Sequence, residues 1–205
     1  MQKKIIAIEI DTDLYLYQKE KFKLSKNLKL INCDFLEYHL PVDPYKVFAN
    51  IPFSIEGIII RKLLNTSNPP EDCYLVMRKD LAERLSGTSK EGQFSLWYKP
   101  FFDFKILYFF KRTEFKPVAR MDVVLLSIKK REFPLIPYSE QKRYMFFIRE
   151  GFKNGRELRH TLISFFTRDE LIKTSLQLKF SIKSRPSHLS LKQWIQLFKL
   201  SKYII

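Results

Sequence analysis

VFANIPFSIEG, residues 47–57, is the stretch on which the reading of this chain turns. The run before it, Tyr45 to Phe48, is rich in β-formers. The run after it, IEGIIIRKLL (55–64), repeats apolar residues at helical spacing. Asn50 and Pro52 therefore fall in a turn that leads from a strand into a helix, with Ser54 as the expected helix cap. In an open α/β sheet, ligands bind at the carboxyl ends of the strands. Asn and Pro are also ordinary turn residues, so the tetrapeptide needs companions before it means anything.

Working outward, strands and helices alternate. KKIIAIEID (3–11) reads as a buried strand ending on acids, and TDLYLYQKEKFK (12–23) as a helix capped by Asp11 or Thr12. LKLINCDF (28–35) reads as a second strand, ending on Asp34, and PYKVFANI (44–51) as a third, ending on Asn50. DCYLVM (72–77), DFKILYFF (103–110) and MDVVLLSIKK (121–130) complete the strands. RKDLAERLS (78–86) and EGQFSLWYKPF (91–101) read as helical or irregular. This alternation predicts a mostly parallel sheet covered on both faces. The last two strands are joined too briefly for a crossover helix, so they should be antiparallel. From about residue 137 the spacing is helical only. The expected organisation is an α/β domain over 1–136 and a small helical domain over 137–205.

The 205 residues carry 37 basic and 22 acidic side chains, a net charge of +15, and a polyanion is the usual reason for such an excess. Residues 141–205 hold 14 of the basic and 4 of the acidic residues, so the basic helical region is the expected nucleic-acid grip. Aromatic residues there, as in YMFFIREGF (144–152), are expected mostly in the core. No apolar run is long enough to span a bilayer, and the N-terminus does not read as a signal peptide. Cys33 and Cys73 read as buried free thiols of a reducing, cytoplasmic compartment. His39, His160 and His188 are scattered, and no spacing suggests a metal site.

Three successive strands end on Glu9, Asp34 and Asn50. An acid at such a tip takes ribose hydroxyls, which suits Glu9. An acid at the next tip can accept from an adenine amino group, which suits Asp34, with Phe35 able to cover the ring. Asn50 then faces the reacting centre. Together the three outline an adenosine-shaped site.

The ordered set IEID (8–11), CDF (33–35), NIPF (50–53), LVMRKDLAERL (75–85), FKPVARMDVV (115–124) and QWIQLF (193–198) resembles the rRNA adenine N(6)-methyltransferases. Within them it resembles more narrowly the erythromycin-resistance (Erm) group, and is also similar to the small-subunit rRNA dimethyltransferases. The resemblance covers essentially the whole chain and implies a Rossmann-like, class I methyltransferase fold using S-adenosylmethionine (SAM). It implies that Glu9 holds the SAM ribose, that Ile10 and Phe35 sandwich its adenine, and that Asp34 bonds the adenine amino group. Asn50, beside the cofactor, and the Ile51 carbonyl would receive the target amino group. Pro52 would fix the turn, Phe53 would stack on the flipped base, and Phe115 would line the other side of that pocket. Lys116 and Arg120, in the same loop, would contact RNA. The implied substrate is one adenine in 23S rRNA, the implied outcome is resistance to macrolides, lincosamides and streptogramin B, and the expected state is a monomer.

Departures from the family pattern are specific. Phe53 stands where Tyr is usual, and Ala119 and Met121 replace a proline and a valine of the F-x-P loop. The first strand and the glycine-rich SAM loop of the family are not found; the five glycines are Gly57, Gly87, Gly92, Gly151 and Gly155. The expectation is an N-terminally truncated chain with weak or no activity as written. The alternatives are a catalytically inactive RNA-binding remnant and a small-subunit rRNA adenine dimethyltransferase.

Overall fold

The computed structural model describes residues 4–87 and 90–202; Lys3 of the first expected strand and residues 203–205 of the expected helical domain lie outside them. The chain divides into two compact units, one made of residues up to Pro44 with Ile55–Pro69, the other of Tyr45–Ser54 with everything after Pro69.

In the first unit, β1 (Ile5–Glu9) and β2 (Leu28–Asn32) pair in parallel, from Ile5 against Leu28 to Glu9 against Asn32. Helix α1 (Thr12–Lys21) connects them. Of its two candidate caps, Asp11 does the work, its Oδ1 accepting from the N–H groups of Asp13 and Leu14 at 2.9 Å. Helix α2 (Glu56–Leu64) buries Ile59, Ile60, Leu63 and Leu64, the spacing read from the sequence. Its N-cap is Ile55 rather than Ser54: the Ile55 carbonyl takes the first helical N–H groups, those of Ile58 and Ile59. Ser54 lies one residue too early to cap.

Two further expectations are corrected here. β1 is not buried, since Ile5 and Ile6 are 50% and 37% exposed; it belongs to a sheet of two strands, too small to cover both its faces. The second strand stops at Asn32, and Asp34 sits in the turn that follows.

The second unit contains a four-stranded sheet in the order β3-β4-β6-β5, formed by β3 (Lys46–Asn50), β4 (Asp72–Arg78), β5 (Phe102–Phe110) and β6 (Val123–Lys130). β3 and β4 are parallel, while β6 runs antiparallel to both β4 and β5. The antiparallel last pair is as expected. The described strands form two pieces rather than one mostly parallel sheet: β1 and β2 are parallel, and the four-stranded piece is mixed because β6 folds back between β4 and β5. Cys73, Leu75 and Met77 of β4 are fully buried, as are Val124 and Leu126 of β6. Burial pushes the Cys73 thiol up to about 12, whereas Cys33 is half-buried rather than buried.

The irregular stretches resolve into α3 (Lys79–Ser86), ended by left-handed Gly87, and α4 (Gln93–Tyr98). Past β6 every described regular element is helical: α5 (Gln141–Gly151), α6 (Leu158–Thr161), α7 (Arg168–Leu178) and α8 (Leu191–Leu200). Thr167 with Glu170, and Ser190 with Gln193, form reciprocal capping boxes on α7 and α8. Tyr144, Phe147, Trp194 and Phe198 fill the helical core, as the aromatic spacing predicts, while Phe146 is 40% exposed. The Trp97 indole of α4 donates to the Met145 carbonyl of α5 (3.0 Å), tying these helices to the sheet-bearing part of the unit.

Candidate cofactor and target-base sites

The first unit brings Glu9, Ile10, Asp34 and Phe35 together at the carboxyl ends of β1 and β2. The ladder ends in a knot: the Glu9 carbonyl accepts from the Cys33 N–H (3.1 Å) and from the Asn32 side-chain amide (2.9 Å). The same amide donates to the Ile10 carbonyl (3.2 Å). One Glu9 carboxylate oxygen accepts from the Asp11 N–H at 3.0 Å. Beyond β2, Asp34 Oδ1 accepts from the Leu36 N–H (2.7 Å), closing a turn that presents the next residue, Phe35.

Sequence reading missed Lys62. From α2 its Nζ donates to the Leu36 carbonyl (2.7 Å) and stands 5.7 Å from the centre of the Phe35 ring. Thus one cation pins the turn and one face of the aromatic ring. Nothing in the sequence distinguishes it from any lysine on an amphipathic helix.

Ile10 is left 65% exposed at the strand tip, beside two carboxylates and a pinned ring. That set fits the adenosine part of SAM: acceptors for hydroxyl and amine donors, and apolar groups for the base. No glycine of the described residues lies in the turns after β1 and β2, so the fit extends to the adenosine part alone.

The second unit holds the other predicted residues. Asn50 closes β3 opposite Val76, and is exposed. Ile51 is buried, at 4% exposure, and its N–H donates to the Val76 carbonyl (3.2 Å), extending the ladder by one bond. Pro52 then has no N–H to offer and a fixed φ, so the strand ends there. Phe53 follows, half-buried.

Phe115, Lys116 and Arg120 lie in the loop from β5 to β6. Arg112 staples this loop, its guanidinium donating twice to Asp122 Oδ1 (2.9 and 2.8 Å) while its carbonyl accepts from the Ala119 N–H (3.1 Å). The Asp122 carbonyl in turn accepts from the Lys79 N–H (2.9 Å), anchoring the loop to the end of β4. The Lys116–Pro117 bond is cis. Phe115 is half-buried, edge-on to Phe110 with centres 5.4 Å apart, and Lys116 and Arg120 are exposed.

Register places both groups at one end of the sheet. Asn50, Val76, Leu125 and Tyr108 form a row across its four strands, spanning roughly 14 Å at the usual strand spacing. The turn after β3 and the loop before β6 both leave the sheet at that end. Among the described residues no cluster of His, Cys, Asp and Glu could hold a metal, and no helix is long and apolar enough to cross a membrane.

The first unit carries an acid pair that fits adenosine, and the second an Asn-Ile-Pro-Phe turn at the end of a strand; the class of protein is an α/β-fold rRNA adenine methyltransferase, as its relatives show. The chain belongs to the ribosomal RNA adenine dimethylase family, which it matches over residues 1–202. It is 31% identical to ribosomal RNA small subunit methyltransferase A of Nostoc sp., across 96% of this chain and 79% of that protein. The like-named protein of Caldanaerobacter subterraneus subsp. tengcongensis is 30% identical, across 95% and 77%. Among solved structures, the 23S rRNA methyltransferase ErmE superposes with a TM-score of 0.86 at 22% identity, over 96% of this chain and 81% of that one. A dimethyladenosine transferase from Plasmodium falciparum gives 0.76 at 19%, over 95% and 80%. At such identities the likeness to the solved structures is one of fold.

Proposed function

We propose that this chain methylates the exocyclic amino group of adenine in small-subunit rRNA, with SAM as methyl donor. The small-subunit target replaces the 23S target of the sequence reading: relatives at 30–31% identity carry the small-subunit name, whereas the Erm likeness is one of fold. Antibiotic resistance is therefore not part of the proposal.

The observation that carries the chemistry is the turn after β3. An adenine amino nitrogen is a poor nucleophile because its lone pair is delocalised into the ring. Acceptors at the Asn50 side chain and the Ile51 carbonyl draw its hydrogens out of the ring plane and localise that pair. The turn can do this because it is rigid: Ile51 is anchored by burial and by Val76, and Pro52 fixes the backbone. This is orientation and preorganised electrostatics rather than strong base catalysis. The base must leave its stack to reach the turn, and Phe53 and Phe115 receive it. Lys116 and Arg120 meet phosphates. Glu9, Ile10, Asp34 and Phe35 hold the adenosine part of SAM, whose sulfonium supplies an electrophilic methyl group when bound. We further propose a basic helical RNA-binding region over 137–205 appended to the catalytic part over 1–136, acting as a monomer in the cytoplasm.

The test is methylation of purified small-subunit and large-subunit rRNA with radiolabelled SAM, mapped by reverse transcription. Label in the small-subunit RNA, lost at least about 100-fold in Asn50→Ala with SAM affinity retained, supports the proposal. Label confined to large-subunit RNA moves the substrate back to 23S. Binding of rRNA with no label in either leaves an RNA-binding protein.

A further inference from the structure

Strand β5 changes character part-way along. Up to Ile106 it alternates: Phe102 is buried, Asp103 and Lys105 are exposed, Phe104 and Ile106 are half-buried. Ile106 pairs with Leu126, yet the next residue of β6, Leu125, faces Tyr108, so Leu107 is the extra residue of a β-bulge. After it the alternation is gone. Leu107, Tyr108 and Phe109 are exposed in succession, at 45%, 47% and 58%. Among the described residues no other three consecutive large apolar side chains are all exposed. Bulges re-aim side chains where a strand approaches a site, and this one stands in the row that begins with Asn50.

The exposed rings are held in place. Tyr108 lies edge-on to Phe110 (4.8 Å between centres), and Phe110 lies edge-on to Phe115 (5.4 Å), so an aromatic chain leads from the strand to the pocket wall proposed above. The Tyr108 hydroxyl donates to one oxygen of Glu114 (3.2 Å), whose other oxygen takes the Lys111 N–H (2.7 Å). The Lys79 ammonium stands 5.8 Å from the centre of the Phe109 ring. Lys111, Lys116 and Arg120 in the adjoining loop are exposed, while Asp122, the loop's other acid, is already paired with Arg112. Pinned aromatic rings ringed by cations match a polyanion with flat apolar faces, not an apolar protein surface.

We propose that Leu107, Tyr108 and Phe109 form a stacking platform for unpaired nucleotides flanking the target adenine. The inference rests on the rRNA-methylating role proposed above and adds a second contact to it, outside the base pocket.

The test compares two RNA hairpins carrying the same target, one with single-stranded flanks and one with the flanks closed into duplex. Their affinities are measured by fluorescence anisotropy across a salt series, for the parent chain, Tyr108→Ala/Phe109→Ala and Tyr108→Trp. These side chains are exposed, and equal melting temperatures confirm that the variants fold. The double alanine variant should bind the open-flank RNA about 10- to 100-fold more weakly and the closed-flank RNA less than about threefold more weakly. The salt slope should not change, because stacking releases no counterions, and Tyr108→Trp should bind like the parent. Equal losses on both RNAs, or none on either, overturn the platform while leaving the methyltransferase reading intact. Self-association of the parent chain that the double variant abolishes also overturns it, making the strand end a contact between copies. If the parent chain binds neither RNA, the functional reading fails and takes the platform with it.

Discussion

Alanine in place of Gly151 and of Gly57 should move stability in opposite directions, and the structure sets both signs. Gly151 ends α5 against the buried Trp194 ring. A Cβ built there would lie 2.5 Å from Trp194 Cη2 and 2.9 Å from Cζ3, against an ordinary carbon contact of about 3.5–4.0 Å. The indole would have to retreat by roughly 1 Å. It has no room: it is fully buried, stacked on Phe152 at 5.7 Å, edge-on to Phe147 at 5.8 Å, and bonded through Nε1 to the Pro186 carbonyl at 3.2 Å. Overpacking of this kind costs about 1–3 kcal/mol, and a weakened indole hydrogen bond adds up to about 1 kcal/mol. Helix propensity returns less than about 1 kcal/mol at a terminal position. The expected net is a destabilisation of about 2 kcal/mol, or roughly 4–8 °C in Tm for a chain of this size. Gly57 sits inside α2, and its Cβ would meet only Arg61 Nη2, at 3.6 Å. Gly57 is the second residue of α2, so Gly57→Ala should stabilise by less than about 1 kcal/mol. Urea denaturation of the three proteins measures both. If Gly151→Ala is neutral or stabilising, the Trp194 contact does not constrain the helical core as argued.

Lys62→Met keeps the stem but loses the bond to Leu36 and the cation over Phe35. It should weaken SAM binding about three- to tenfold by calorimetry without altering RNA affinity. A matching loss of RNA affinity would indicate general damage instead. The Glu170 carboxyl is held down at about 2, first by its hydrogen bond from Lys202 and then by the Thr167 N–H. A carboxylate depressed when folded contributes stability that is complete above its ordinary value near 4.5 and fades as pH falls towards 2. Glu170→Gln should therefore flatten the acid limb of the stability profile in that window, read by thermal melts at stepped pH. An unchanged limb would refute the assignment.

The placement of the candidate site residues was partly legible because its determinants are local. A β-run, an Asn-Ile-Pro turn and a helical apolar stripe announce themselves within a dozen residues, and Asn50 ends its strand as read. Where the sequence misled, a distant partner decided. β2 stops two residues before Asp34, with the Asn32 amide turned onto the Glu9 and Ile10 carbonyls and the Cys33 N–H onto the Glu9 carbonyl at the end of β1. The staple from Arg112 to Asp122 holds the loop where Ala119 stands in place of the family's second proline, and nothing in the local sequence announces that pairing. The bulge at Leu107 is invisible in FKILYFF (104–110), a strand-like run whose slip appears only against β6. Splitting of the strands into two sheets likewise depends on which edges meet, a property no single strand's composition encodes.

The bond from Ile51 to Val76 has one more effect. It occupies the Ile51 N–H, and Pro52 has none, so neither of these two residues offers a backbone donor. In the reading proposed here, such a turn sorts purines by polarity. A C6 amino group brings hydrogens to the Asn50 and Ile51 oxygens. A C6 keto group, as in guanine or inosine, would bring lone pairs against lone pairs, with no backbone donor from Ile51 or Pro52 to relieve them.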